Sequence, residues 1–133
     1  MIQHPPELVA VMDRANLAVE KINTYIDAAN KAAKAGNRTA FLKAASGLAM
    51  WTSGELTWLT AHPFAACVAK QQEDYRTAID SELKVAGYLR AAANSSGSEA
   101  DALWTMIDLS EGLAHGSLVR LRIGILSSEP ACQ

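Results

Sequence analysis

Apolar residues recur along the first part of the chain at alternating spacings of four and three, the repeat of one face of an α-helix. The proline pair at residues 5–6 suits the first turn of a helix, where a missing N–H is tolerated. Two lysines followed by Gly36 are typical of a helix C-terminus. The pattern predicts a helix over residues 6–35, with this inward face: Leu8, Met12, Ala15, Val19, Ile22, Ile26, Ala29 and Ala33.

A second helical repeat follows and ends at a proline. Asn37 or Thr39 can cap its N-terminus, because side chains of these types accept hydrogen bonds from the first free N–H groups. His62 precedes Pro63, and the residue before a proline is disfavoured in the helical region. We therefore predict a helix over residues 38–61, with this inward face: Phe41, Ala45, Leu48, Thr52, Leu56 and Leu59.

The third and fourth helices are predicted over residues 63–93 and 98–126. The third starts at Pro63 and its apolar face comprises Phe64, Val68, Tyr75, Ile79, Ala86, Leu89 and Ala93. The fourth opens with a capping-box pattern at residues 98–101, and its apolar face comprises Leu103, Trp104, Ile107, Ala114, Leu118, Leu121 and Ile125. Residues 118–126 also alternate like a strand, an alternative that stays open, and the tail 127–133 is expected to be loose.

Helices of this length joined by short connections predict an all-α fold, an antiparallel up-down-up-down four-helix bundle. With 133 residues, the chain is expected to form one domain over 1–133. Its alanine-rich, aromatic-poor composition also favours helix, because alanine loses no side-chain entropy there.

Charge and cysteine usage exclude several classes of function. The net charge of −2 is spread evenly, so a nucleic-acid partner is not expected. No apolar run approaches the roughly 20 residues of a membrane span, and the N-terminus lacks the features of a signal peptide. Cys67 and Cys132 lie far apart and predict no disulfide framework, so Cys67 is interpreted as a small buried residue. A cytoplasmic location is the default, and a mature exported domain stays open.

Two helices carry small or apolar residues away from their inward faces. On the second helix Gly47 and Gly54 lie beside Trp51 and Trp58, which form either core or a groove for another helix or an apolar ligand. The fourth helix has a second apolar face: Leu109, Gly112, Gly116, Val119 and Ile123. Such a face is covered by a second copy, by a partner protein, or by the bundle itself if this helix is central.

Two glutamates stand in the middle of apolar faces, which is unusual for charged residues. Glu82 lies in the third helix and Glu111 in the fourth, with His115 one turn later. Asp108 on the flank and Asn30 of the first helix complete the candidate polar cluster: Asn30, Glu82, Asp108, Glu111 and His115. The glutamates either reach water or neighbouring tyrosine or histidine side chains, or they share a proton or a ligand.

The metal alternative is limited to Glu82, Glu111 and His115. Carboxylate-bridged metal sites in bundles use repeated Glu-x-x-His motifs, and this chain has one glutamate and histidine four apart. We therefore predict no cofactor and no metal. Helix heights also place Glu55 near Arg122, so that the two either form an ion pair or extend separately to solvent.

No catalytic motif stands in the chain. The leading hypothesis is a non-enzymatic protein–protein interaction module, regulatory or adaptor in character, that binds a partner protein or itself as a homodimer. The alternative hypothesis is a ligand- or metal-binding bundle that uses the two glutamates and His115.

Overall fold

The computed structural model describes residues 5–128 and 132, without the side chains of residues 124–128. Within this part the chain forms four α-helices and one short 3₁₀ helix, and no strand. In chain order these elements are α1 (Pro6–Lys34), α2 (Arg38–Ala61), the 3₁₀ helix (Ala66–Val68), α3 (Ala69–Ala93) and α4 (Gly97–Ser128). The predicted all-α four-helix fold is confirmed.

The turn between α1 and α2 follows the predicted chemistry. Gly36 takes a φ of 68°, which only glycine adopts without cost. The Asn37 side chain accepts a hydrogen bond of 3.0 Å from the Ala40 N–H, so Asn37 caps α2. The two helices therefore pack as antiparallel neighbours.

The predicted start of the third helix at Pro63 is wrong, because α3 begins at Ala69. Residues 63–65 have no regular structure and lead into the 3₁₀ helix. The Phe64 N–H donates to Gln72 Oε1 at 2.7 Å, and the Phe64 ring contacts the rings of Trp58 and Tyr75. These contacts anchor the turn, and proline at a helix start is permissive rather than sufficient.

The C-terminal predictions also change. Residues 118–126 are helical, so the strand alternative is wrong, and α4 extends to Ser128. Cys132, in the tail predicted to be loose, forms a disulfide with Cys67 at a Cα–Cα distance of 5.3 Å. The rest of that tail, residues 129–131 and 133, lies outside the described residues.

The core is organised around α3, which packs closely against both α2 and α4. The contact between α3 and α4 is the most extensive in the molecule, and small buried side chains on both helices permit it: Ala78, Ser81, Ser110, Ala114 and Ser117. In contrast, α1 contacts α2 but approaches α4 at few points. The bundle is therefore open along one edge. No helix in the described part is long and apolar enough to cross a lipid bilayer.

Candidate functional site

A cleft of about 280 Å³ lies along the open edge between α1 and α4. Its walls are largely aliphatic, formed by Val19, Ile22, Leu118 and Val119. Its polar side chains are Glu82 from α3, Asn23 from α1, and three residues of α4: Glu111, His115 and Arg122. The predicted alignment of Glu82 with Glu111 and His115 therefore corresponds to one shared cleft.

Glu82 and Glu111 meet directly in this cleft. Glu82 is 3% exposed, and its carboxyl group hydrogen-bonds to that of Glu111. Burial first, and then the Glu111 carboxyl group, raise the pKa of Glu82 to about 9. A hydrogen bond between two carboxyl groups needs one proton, so Glu82 is protonated near neutral pH. Even so, Glu82 Oε2 and Glu111 Oε1 are buried and have no hydrogen-bond partner among the described residues.

The structure does not bring the whole predicted polar cluster together. Asn30 and Asp108 are exposed and do not line the cleft. Asn23 occupies the place predicted for Asn30. Asn23 lies twelve residues before Ala35, the C-cap of α1, and Glu82 lies twelve residues before Asn94, the C-cap of α3, so the two residues are at the same level in the bundle. The prediction that Glu82 of α3 and Glu111 of α4 lie at one level was right. The residue of α1 at that level was predicted two helical turns too late in the chain.

The alternative metal site of Glu82, Glu111 and His115 finds no support in the geometry of the cleft. Within the described part of the chain, no three His, Cys, Asp or Glu side chains converge closely enough to hold a metal ion. Two carboxyl groups that share a proton can instead accept hydrogen bonds through their two remaining oxygens.

A second buried carboxylate belongs to Glu55, which was predicted either to pair with Arg122 or to extend to solvent. Glu55 is 3% exposed and is held by Arg14, whose Nε donates to Oε2 at 2.7 Å and whose Nη2 donates to Oε1. The Tyr75 hydroxyl donates to Oε2 at 2.6 Å. Burial and the Glu55 hydrogen bond raise the pKa of Tyr75. Of the two alternatives for Glu55 and Arg122, the ion pair between them does not form, because Glu55 pairs with Arg14 and Arg122 lines the cleft. The other alternative is wrong for Glu55, which is buried and does not extend to solvent.

The pattern did contain a signal for Glu55. Buried residues of α2 recur at alternating spacings of four and three, and Glu55 occupies a place in that series: Phe41, Ala45, Leu48, Thr52, Glu55 and Leu59. The predicted inward face contained the apolar Leu56 instead of Glu55, but Leu56 is only half-buried. The spacing rule was more informative than the chemical type at this position.

The predicted groove of small and aromatic residues on α2 is divided in the structure. Trp58 lies beneath the Arg14 guanidinium, whose Cζ is 3.7 Å from the ring centroid, and Trp51 packs half-buried against the core. Gly54 is exposed with open space around it, whereas Gly47 lies against the Tyr25 ring. A groove of about 590 Å³ between α1 and α2 is lined by Gly47 but not by Trp51, Gly54 or Trp58.

The outward face of α4 carries large apolar side chains. Of the residues predicted for an interface, Leu109, Gly112, Val119 and Ile123 are exposed and Gly116 is half-buried. Met106 and Leu113, which were not predicted, are also exposed, Leu113 to 64%. Six residues at alternating spacings of three and four form the outer seam of α4: Met106, Leu109, Leu113, Gly116, Arg120 and Ile123.

The cleft and the outer seam are the two features of the described residues that call for a function. Comparison of the chain with models of known protein families, with curated proteins and with solved structures finds no significant match. What either feature does must therefore be argued from its own residues.

Proposed function

We propose that the protein is a non-enzymatic interaction module that binds a second copy of itself through the outer seam of α4. The observation that carries this proposal is the exposure of large apolar side chains along the seam, since soluble monomers seldom leave contiguous apolar surface in water. The repeat of 3.5 residues is that of a coiled-coil seam. From Met106 to Ile123 the seam is about 26 Å long at 1.5 Å per residue.

The arrangement of the seam favours an antiparallel pairing with an identical seam. The series is symmetric about the point between Ala114 and His115, so Met106 of one copy lies opposite Ile123 of the other. Leu113 then lies opposite Gly116, whose missing side chain leaves room for it. A twofold axis at this point produces the self-complementary contact that most homodimers use.

The charges beside the seam support the same orientation. Asp101 and Asp108 are exposed on the N-terminal half of α4, and Arg120, which also pairs with Asp74 of α3 at 3.8 Å, is exposed on the C-terminal half. In an antiparallel pair, Asp108 of each copy lies at the level of Arg120 of the other copy. A parallel pair would place like charges together, which is unfavourable across a helix pair.

Light scattering of the purified protein tests this proposal. We expect a dimer for the natural chain and a folded monomer for Leu113→Asp, because each copy would then bury a charged aspartate opposite Gly116 near the centre of the interface. Met50→Asp is the matched control, since Met50 is 76% exposed on α2 and lies outside the seam; it should remain dimeric. A natural chain that is monomeric at high micromolar concentration contradicts the proposal.

Exchanging charges tests the antiparallel orientation. Asp108→Arg and Arg120→Asp should each weaken the dimer, whereas the double variant restores the attraction in both copies and should recover most of it. A heterologous partner gives no such recovery in the purified protein. If the double variant is weaker than either single variant, the antiparallel register is wrong.

The disulfide bears on where the protein works. Disulfides persist in oxidising compartments and are rare in the cytosol, and Cys67 and Cys132 form one here. Of the two locations that the sequence left open, this supports an exported protein over the predicted cytoplasmic one.

A further inference from the structure

We infer that the cleft between α1, α3 and α4 binds a small organic cation, a primary ammonium group on a short apolar body, through the carboxyl groups of Glu82 and Glu111. This site is separate from the outer seam of α4 and does not depend on dimer formation. The claim rests on the cleft itself, on the burial of Glu82, and on two oxygen atoms for which the described residues provide no hydrogen-bond donor.

The unpaired oxygens determine the charged end of the ligand. Glu82 Oε2 and Glu111 Oε1 can only accept hydrogen bonds, and each is buried among the residues of the cleft. Leaving a buried acceptor without a hydrogen bond is unfavourable, because the group has lost its bonds to water. A primary ammonium offers three N–H donors and a positive charge, so one group can bond to both carboxyl groups.

The walls and the size of the cleft determine the rest of the ligand. Val19, Ile22, Leu118 and Val119 present aliphatic surface to a hydrocarbon body. A volume of about 280 Å³ is at the lower limit of known small-molecule sites. His115 and Arg122 are exposed residues of the same cleft, and the positive charge of Arg122 disfavours a second cationic group. The ligand therefore has one ammonium group and a body of a few carbon atoms.

Binding exchanges one cation for another. In the empty cleft Glu82 carries a proton and donates it in the hydrogen bond to Glu111. The incoming ammonium replaces this proton, which leaves to solvent, so that both carboxylates face the ligand and the net charge of the cleft is unchanged. No covalent bond other than the O–H bond is broken. The titratable side chains that line the cleft together with Glu82 are Glu111, His115 and Arg122 of α4, and the polar side chain that α1 contributes to the lining is the non-titrating Asn23.

Calorimetric and NMR titration with n-butylammonium chloride at pH 7.5 tests the inference. We expect saturable amide shifts at cleft residues and release of close to one proton per ligand, measured in buffers of different ionisation enthalpy. Glu82→Gln should weaken binding at least tenfold and abolish the proton release. Glu73→Gln, an exposed glutamate on α3 outside the cleft, should change neither. Leu113→Asp should also bind normally, which separates this test from that of the dimer.

Three matched compounds define the outcomes that overturn the inference. n-Butanol binding as tightly as n-butylammonium shows an apolar pocket only, and preferential binding of butyrate shows the opposite charge preference. Binding of Mg²⁺ but not of the amine identifies a metal site instead. Undiminished binding to Glu82→Gln places the ligand elsewhere. If circular dichroism shows that Glu82→Gln does not fold, Glu111→Gln replaces it in the test. Binding of the amine by the natural chain without release of a proton also contradicts the inference.

Discussion

Glu82 keeps a carboxyl group where ionisation is unfavourable, and this links its protonation to the stability of the fold. Its pKa is about 9 in the folded protein against an ordinary value of 4.5. Between these values the folded state holds a proton that the unfolded state has lost. The contribution of Glu82 is therefore fully present below about pH 4.5 and is lost as the pH rises towards 9.

Glu82→Gln should remove this dependence, because glutamine is of similar shape and does not titrate. We expect the free energy of unfolding of the natural chain to fall between about pH 5 and 9, and that of Glu82→Gln to fall less. At pH 8 the variant should be more stable by at least about 1 kcal/mol. Denaturant titration at several pH values measures this, with Glu73→Gln as the control. Parallel profiles for Glu82→Gln and the natural chain would show that Glu82 titrates normally.

The Arg14–Glu55 pair is a different electrostatic case, because its carboxylate is satisfied. Removing Arg14 leaves a buried carboxylate that, among the described residues, keeps the Tyr75 hydroxyl as its side-chain donor. We expect Arg14→Met to destabilise the fold by about 3 kcal/mol, the usual cost of breaking a buried pair. Lys84→Met is the matched control, since it breaks the exposed pair with Asp80 and should cost less than about 1 kcal/mol. Equal effects of the two changes would mean that the buried pair contributes no more than a surface pair.

At the scale of the helix, two glycines of α2 illustrate different uses of a missing side chain. A Cβ at Gly47 would lie 2.5 Å from Tyr25 Cε1, so Gly47 permits the close approach of α1 and α2. A Cβ at Gly54 would meet nothing within 4 Å. Gly54→Ala should therefore raise stability by about 1 kcal/mol through helix propensity.

Gly47→Ala should instead lower the melting temperature, because Tyr25 must move from its place against α2. In a Tyr25→Ala background the same substitution should become neutral or stabilising, since the obstructing ring is gone. Thermal unfolding followed by circular dichroism measures all four chains. A gain in stability from Gly47→Ala with Tyr25 present would show that the ring moves aside freely.

The number and approximate positions of the helices were predicted from the spacing of apolar residues, and the errors at particular helix ends have physical causes. The ends of α1 and α2 were predicted closely because proline, Asn37 and Gly36 act locally. The start of α3 was missed because the bond from the Phe64 N–H to Gln72 and the contacts of the Phe64 ring are tertiary. Periodicity also placed Glu82 and Glu111 at one level. Periodicity did not identify Asn23 as the α1 residue of the cleft, because the level of α1 relative to α3 and α4 depends on the positions of the turns that connect the helices.

At the scale of the whole molecule, a disulfide joins Cys132 near the C-terminus to Cys67 in the middle of the chain, and the cysteine count did not predict it. Two cysteines that are 65 residues apart carry no spacing signal, and their meeting depends on how α4 ends beside the 3₁₀ helix. Replacing both by serine restores the freedom of a long loop in the unfolded chain. We expect a loss of about 2–4 kcal/mol, measured by urea unfolding. Reduction of the natural chain should have a similar effect, and no effect of either would show that the bond does not form in solution.

The same bond divides the polypeptide into a closed ring and a linear arm. The ring runs from Cys67 through α3 and α4 to Cys132, and the arm comprises α1 and α2. A protease that cuts once in the connection at residues 94–96 leaves a single covalent molecule, which separates into two fragments only after reduction. A cut in the connection at residues 35–37 produces a separate peptide that carries α1, and with it Arg14 and one wall of the cleft. Limited digestion could therefore remove the Arg14 partner of Glu55 and open the ligand site while the ring stays intact.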